Sequence, residues 1–508
     1  MRRRISPVDK PRLNLSRGMP PSGSGIRAAS LSQRNRRYRL LGLLLIGLTL
    51  LALTGCGVLV RGVSNGLTST HNSPLFRQGR HGPLDEHEQK AAETAWHYFE
   101  NNHNPKTGLV NSVDRYPATT MWHTGDYLAA MVSARELDII TPCEFDERLS
   151  SVVHFLNTMP LFFDRLPNKV YNTQSGAMVD YSNQPGEIGW SAMDIGRLLT
   201  WLYIVKCRYP IFSEYIDKAV LRWNFCDILD NCGTLYGGLK VHNKIDTFQE
   251  GRLGYEEYSA RGYQLWGFST TQASKIEPYE MATLYGVRFP YDSRDVRETN
   301  TYAPVLSMGY LLDGLEFNWD KTDQRNGWDS YHSEPDMARI ADAIYEVQEA
   351  RYMNDHIFTA RTDHQVEGPP YFVYDSIFAA GYPWNVISDN GQHHEDQALV
   401  STRTAFGMWG LWKTPYTDRL MKLVHCLNDP EKGWYEGRLE NTGEHMKLIT
   451  SGTNAAVLET LLYKSQGKLS SCPDPQDERP IPFYDLQITD PFKEEGKCLP
   501  LERKGCVP

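Results

Sequence analysis

The chain has 508 residues, 41% of them hydrophobic and 23% charged, values near those of an average globular protein; this excludes a disordered, collagen-like or polytopic membrane chain. Its formal charge of −9 is unevenly spread. Residues 1–39 hold 11 Lys/Arg against a single acid, Asp9, so the remainder keeps 42 of the 53 basic and 61 of the 62 acidic residues, a balance of −19. A body that acidic repels phosphate backbones, which argues against nucleic acid as a partner.

The basic stretch is read as a cytoplasmic leader, because Leu40 to Val60 comes directly after it as twenty-one uncharged, mostly apolar residues. A basic run ahead of an apolar one keeps the N-terminus inside and sends the downstream chain across the inner membrane, so the body is expected to face the periplasm. Within this stretch Leu53-Thr54-Gly55-Cys56 resembles a bacterial lipobox with Cys56 as the lipidated residue. The alternative is an uncleaved signal anchor, since this length spans about 30 Å of hydrocarbon; either way the protein is membrane-anchored. Residues 61–83, rich in Gly, Ser, Asn and Arg, read as a linker, 84–468 as one folded domain and 469–508 as a Cys-bearing tail. Eight cysteines besides Cys56 suit an oxidising compartment, with Cys226–Cys232 and Cys498–Cys506 the first pairings to expect.

Helical periodicity dominates the folded part. It predicts helices over Leu84–Asn102, Thr124–Leu137, Cys143–Thr158, Ser191–Tyr209, Phe212–Ile228, Tyr255–Phe268, Pro335–Met353, Asp396–Trp412, Tyr416–Leu427 and Thr453–Gln466. Strand-like alternation is confined to loop pieces such as Lys169–Asp180 and Tyr285–Val305. Loops rich in Gly, Tyr or Trp precede helices starting near 124, 191, 255, 396 and 453. The gap between 255 and 396 is about double the others, which places a disguised hairpin in Tyr302–Asn318. Six helical hairpins so spaced predict an all-α toroid, one helix of each pair lining the centre, with short β-hairpins in the rim loops.

Inner helices that start at one rim would bring Asp126, Asp194, Glu256, Glu257, Glu395 and Asp396 around a common bowl beside Trp122, Tyr127, Trp190, Tyr255 and Tyr258. The bland reading is that first-turn acids merely suit the helix dipole. The 12 Trp, 28 Tyr and 18 Phe allow rings beyond the needs of a core, and sugars are a common ligand for such surfaces. Trp266, Trp384 and Tyr435 are further candidate platforms, although each ring alone is more often core.

Trp122 to Ala130, Tyr171-Asn172-Thr173-Gln174-Ser175-Gly176, Trp190 to Leu199, and Gly433-Trp434-Tyr435-Glu436-Gly437 with Thr453-Asn454-Ala455 resemble the bacterial family known as domain of unknown function 3131, over about residues 85–467. More distantly they resemble the glucoamylase-like (α/α)6 domains of β-1,2-glucanases and cyclic glucan synthases. There a Tyr-Asp-Thr turn precedes Val-Asp-Ser-Gly; the counterparts here are Tyr171-Asn172-Thr173 and Met193-Asp194-Ile195-Gly196. The resemblance implies a toroid acting on a glycan, with Tyr171, Asn172, Tyr435 and Glu436 near the saccharide. Asn172 lacks the carboxylate of the pattern.

Glycoside hydrolysis needs a protonated carboxyl to give a proton to the leaving oxygen and an ionised one opposite. Glu256 or Glu257 is expected to be the acid, because consecutive carboxylates raise each other's pKa; Asp375 is expected to be the base, with Asp194 as runner-up and Asp126 a further candidate. Arg361, His364 and Arg403 could hold an anionic sugar, or form a solvated rim. No Gly-rich phosphate loop, Gly-x-Ser-x-Gly elbow or His-Glu-x-x-His occurs, so no cofactor or metal is expected. The leading expectation is an envelope-anchored glycoside hydrolase or transglycosylase on an exopolysaccharide or periplasmic glucan. A polysaccharide lyase using Asn172, His364, Tyr371 and Arg403, and a non-catalytic glycan-binding part of an export assembly, stand as alternatives.

Overall fold

The computed structural model describes residues 79–276, 278–294, 302–319 and 336–471. Eleven α-helices lie among them: α1 (Glu86–Asn102), α2 (Met121–Glu136), α3 (Pro142–Thr158), α4 (Ala192–Arg208), α5 (Ser213–Leu221), α6 (Tyr255–Leu265), α7 (Met308–Phe317), α8 (Met337–Asp355), α9 (Thr402–Leu411), α10 (Pro415–Val424) and α11 (Ser451–Gln466). Six of them, α2, α4, α6, α7, α9 and α11, pack each on the next, and α11 returns to α2, closing a ring. The outer helices α1, α3, α5, α8 and α10 lean on this ring from outside. The helix expected in the doubled gap is α7, inside Tyr302–Asn318.

The sequence of each inner helix explains its place. Most of them are apolar or small nearly all round, as befits elements covered on every side; α2 buries every residue from Thr124 to Ala134, whereas α6 carries Glu256, Glu257 and Arg261. Close approach comes from glycine: a Cβ on Gly262 of α6 would stand 1.9 Å from the Gly196 carbonyl of α4. Four inner helices begin on a hydroxyl cap that satisfies a first-turn amide, Thr120 for α2, Ser191 for α4, Ser401 for α9 and Thr450 for α11. Helix α6 begins differently. Gly254 takes φ +98°, where a Cβ would also collide with the Tyr310 ring at 2.7 Å, and its amide is held by the Glu257 carboxylate.

The all-α expectation needs correction. Six small antiparallel sheets build the loops among the described residues. They include β1 (Ala118–Thr120) with β2 (Val170–Asn172) and β3 (Met178–Val179), β4 (Gly189–Trp190) with β5 (Tyr236–Val241) and β6 (Lys244–Gln249), and the hairpin β7 (Tyr279–Leu284) with β8 (Val287–Asp292). This last hairpin follows α6 where the hairpin pattern calls for an outer helix, so five outer helices rather than six occur among the described residues. Period-2 runs of two to seven residues carry little signal beside long helices, which is why periodicity underestimates the sheets. The helix expected at Asp396 begins at Thr402 instead; Glu395 and Asp396 sit exposed in a single 3₁₀ turn and do not join an inner first turn.

No helix among the described residues is long and apolar enough to cross a membrane. Leu40–Val60, Cys56 and the Cys498–Cys506 pairing lie outside the described residues. Cys143 and Cys426 are exposed free thiols, so pairing does not extend to them.

Candidate functional site

Because the inner helices start at one rim, their first turns meet. The Trp122 ring of α2 lies 5.5 Å from Tyr255 of α6. A Cβ on Gly309 of α7 would touch Gly254 at 2.8 Å, and one on Gly452 of α11 would lie 3.2 Å from Arg403 Nη1 of α9 and 3.5 Å from Asp126 Oδ2 of α2. Helical spacing then sorts which side chains face the axis: Trp122 and Asp126 on α2, Arg197 and Trp201 on α4, Tyr255 and Tyr258 on α6.

Below the rim the axis is closed by one guanidinium. Arg197 Nε donates to Asp126 at 2.6 Å, Nη1 to Glu316 at 2.8 Å and to the Tyr258 hydroxyl at 2.5 Å, and Nη2 to Glu459 at 2.6 Å. Trp201 Nε1 and the Tyr258 hydroxyl also donate to Glu316, and Trp122 covers the Arg197 guanidinium at 5.2 Å. Burial, then Glu316 and Asp126, push the Glu459 carboxyl well up against the pull of Arg197.

Above this floor Trp122, His123, Asp194, Tyr255, Asp363 and Arg403 are half-buried. Asp363, on strand β9 (Asp363–Gln365), accepts from the Tyr255 hydroxyl at 2.6 Å and from Thr362 at 2.8 Å, and pairs with Arg403 at 3.5 Å. Burial works to raise its pKa, but Arg403, these two hydroxyls and Arg252 outweigh it and hold the carboxyl below its ordinary value. Asp194, in the first turn of α4, exchanges hydrogen bonds with Ser191 at 3.1 Å. Burial, with Glu250 adding, pushes it up to about 7. Glu250 itself accepts the Ala192 amide at 2.5 Å. His123 and His364 have lowered pKa values, chiefly through burial, and are neutral.

Several buried polar atoms of this bowl have no hydrogen-bond partner among the described residues: Asp126 Oδ2, Arg403 Nε, His364 Nε2 and Ser451 Oγ. Buried polar groups are ordinarily satisfied, and each orphan costs about 1–3 kcal/mol. Asp126 and Arg403 meet at Gly452, Ser451 precedes it and His364 lies in the field of Arg403, so these orphaned atoms mark a place able to hydrogen-bond something polar. Glu436 completes the floor, accepting from the hydroxyls of Thr450 and Thr453.

The expected residues divide accordingly. The structure brings together Trp122, Asp126, Asp194, Tyr255 and Glu436, with Tyr258 just beneath. Glu256 and Glu257 are turned about 100° and 200° from Tyr255 on α6 and face away. Glu256 accepts from Gln249 at 2.9 Å and pairs with Arg294 at 3.5 Å; Glu257 caps Gly254 at 2.6 Å. Their pKa values are pushed up to about 7 and about 8, mainly by burial, with Glu256 adding to the shift of Glu257. Asp375 is sealed in an ion pair with Arg361 at 2.7 Å and accepts the Leu399 amide at 2.7 Å; burial first, then Glu440 against Arg361, puts it at about 7.

The rings divide too. Tyr127, Tyr171, Trp190 and Trp266 are core residues, each bonded inward: Trp190 Nε1 to the Tyr236 carbonyl, Tyr171 to that of Pro160, Trp266 to that of Leu199, while Tyr127 accepts from Arg148. Asn172 closes an Asx turn, accepting the amides of Gln174 and Ser175. Trp384 is half-buried between Arg351 and Arg361, and Tyr435 is half-buried against the helical core. Asp363 escapes sequence reasoning altogether, because a carboxylate in a three-residue strand carries no periodic signal. Its only flag is its neighbour His364.

Three solved structures share the fold. An endo-β-1,2-glucanase from Chitinophaga pinensis, in complex with sophorotriose and glucose, superposes with TM-score 0.54 at 14% identity over 77% of this chain and 95% of that one. A candidate glucoamylase from Bacteroides caccae ATCC 43185 gives TM-score 0.52 at 11% identity over 76% and 94%. A mutant endo-β-1,2-glucanase from Talaromyces funiculosus with β-1,2-glucan gives 0.50 at 12% identity over 76% and 84%. No curated protein matches the sequence. The match that covers the ring itself is a family one: residues 90–467 fit the family described as protein of unknown function, DUF3131, and the chain belongs to it.

Proposed function

We propose that the protein is a glycoside hydrolase, or a transglycosylase using the same carboxyl pair, held in the bacterial cell envelope and acting on a periplasmic glucan or exopolysaccharide. The observation that carries this is the group of orphaned buried atoms, Asp126 Oδ2, Arg403 Nε and His364 Nε2, on side chains two of which, Asp126 and Arg403, meet at Gly452. They offer an acceptor, a donor and a neutral imidazole nitrogen, the mixture that sugar hydroxyls need. Trp122 and Tyr255 supply ring faces beside them.

Two carboxyls of the bowl are driven in opposite directions, which is how acid and base are divided in such chemistry. Asp194, raised to about 7, is the proton donor to the leaving glycosidic oxygen. Asp363, held ionised, is the opposing carboxylate that activates water or attacks the anomeric carbon. The roles expected of Glu256, Glu257 and Asp375 pass to these two. Arg403, which a lyase would need to neutralise a uronate, is already matched by Asp363, so hydrolysis is the better reading. Envelope anchoring rests on the basic leader, Leu40–Val60 and Cys56.

The test is release of new reducing ends by the full chain in detergent from a panel of β-glucans and exopolysaccharides, β-1,2-glucan first because two of the structures of like fold hold that linkage. Asp194→Asn and Asp363→Asn should each cut the rate of release by about 10²–10⁴-fold. An ultraviolet-absorbing unsaturated product would overturn hydrolysis, and binding without release would reduce the protein to a glycan-holding component.

A further inference from the structure

Three tyrosines stand among the exposed large side chains. Tyr116 is 38% exposed, Tyr181 66% and Tyr371 62%. They come from three separate loops: the turn ahead of β1, the turn after β3, and the turn that leads into strand β10 (Phe372–Asp375). The Tyr116 hydroxyl donates to the Tyr181 carbonyl at 2.8 Å. Tyr116 in turn lies in the field of Asp180 and Tyr371. The ring of Tyr181 is open to solvent, and the fields of the Asp194, Glu250 and Asp389 carboxyls and the Tyr374 phenol reach its hydroxyl. The three phenols thus run from the outer loops to the carboxyl assigned as proton donor.

Single exposed rings need no explanation, but a contiguous set does. Tyr371 adds a second reason. It is held at φ +67° by the Tyr371 amide on the Gly368 carbonyl at 2.7 Å and the Val366 amide on the Tyr371 carbonyl at 3.1 Å. A bulky residue is uncommon in that left-handed region, where glycine or asparagine would sit without cost, and strain retained at a surface turn points to use of the side chain. Flat faces with one polar tip, arranged above carboxyls, suit the half-apolar face of a pyranose and its ring of hydroxyls.

We propose that Tyr116, Tyr181 and Tyr371 form a stacking track for the sugar units adjoining the one held in the bowl, so that the protein selects long glycan chains over short oligosaccharides. This rests on the glycan reading of the bowl. The probe is a series of linear β-1,2-gluco-oligosaccharides from two to eight units, titrated calorimetrically into the full-length Asp194→Asn chain in detergent. Affinity should rise with length, and Tyr181→Ala or Tyr371→Ala should each remove about three- to tenfold of that rise while leaving the shortest binder unchanged. Tyr181→Phe and Tyr371→Phe keep the ring and should keep the gain. Affinity independent of length, or a gain untouched by both alanine variants, overturns the track alone. Failure of every length to bind sinks the reading of the bowl and the track with it.

Discussion

Along one axis, two layers of the ring use the same residue types differently. At the floor Arg197 is 1% exposed and spends its donors on Asp126, Glu316, Glu459 and Tyr258, every contact between 2.5 and 2.8 Å. About one helical turn nearer the rim, Arg403 meets Asp363 but leaves Nε without a partner, as Asp126 leaves Oδ2. A charge network in which the guanidinium spends every nitrogen ties five helices together; one whose guanidinium keeps a nitrogen in hand keeps capacity for a ligand. Asp126 belongs to both layers, one oxygen in each.

The comparison breaks most visibly at Arg197. Arg197→Met would leave three buried carboxyls facing one another, and removing one partner of a buried ion pair costs about 3–5 kcal/mol. We expect a large drop in the urea unfolding midpoint and in soluble yield. An unchanged midpoint would show that the floor does not hold the ring.

At the rim the expected damage is to chemistry and not to stability. Asp194→Asn should lower kcat by about 10²–10⁴-fold, the range for a lost general acid, with an unfolding midpoint no lower than that of the parent. The pH dependence has a definite sign. Asp194 titrates at about 7 in the fold against an ordinary value of 3.8, so the folded state holds the proton more tightly and stability falls as pH rises between the two. Activity should fall as pH rises through about 7, and the Asn variant should be the more stable protein above it. An activity that climbs through that range would remove Asp194 as the donor.

Glu257 sharpens the contrast because its shift is larger but its setting is structural. Its carboxyl, at about 8 in the fold against 4.5, drains stability as pH rises through that window. Glu257→Gln keeps an oxygen for the Gly254 amide, so we expect a melting temperature above that of the parent at pH 9, little difference at pH 4, and turnover within about threefold. Loss of turnover comparable to that of Asp194→Asn would return the catalytic role to α6.

These cases show how far the sequence is legible. Periodicity finds the other inner helices because a helix of ten or more residues repeats its signal several times, while the one in Tyr302–Asn318 is placed only by the doubled gap between helix starts. Hydroxyl and glycine starts mark first turns, which is how periodicity places Trp122, Asp194 and Tyr255 at the rim; Asp126, expected in a first turn, lies one turn deeper because its helix starts at Met121. It misplaces Glu256 and Glu257 because which side of α6 meets the axis is fixed by neighbours: Tyr255 and Tyr258 reach Trp122 and Glu316, and that turns the glutamates outward. Asp363 is beyond its reach, since β9 is positioned by pairing with β10, a contact between short loop strands.

The smallest expected effect tests whether the space at the rim is used. Gly452 lies in the first turn of α11, and a Cβ there would stand 3.2 Å from Arg403 Nη1 and 3.5 Å from Asp126 Oδ2, close enough to press on both without forcing the backbone. Alanine favours helix over glycine by up to about 1 kcal/mol, so Gly452→Ala should leave the unfolding midpoint equal or slightly raised. The methyl group nevertheless crowds Arg403 beside the orphaned Asp126 Oδ2, and its crowding acts equally on bound substrate and transition state. KM should therefore rise a few-fold with kcat nearly unchanged, the pattern of lost uniform binding. Equal KM in the two proteins would mean that the gap beside Gly452 is mere packing slack and that sugar hydroxyls are held elsewhere in the bowl.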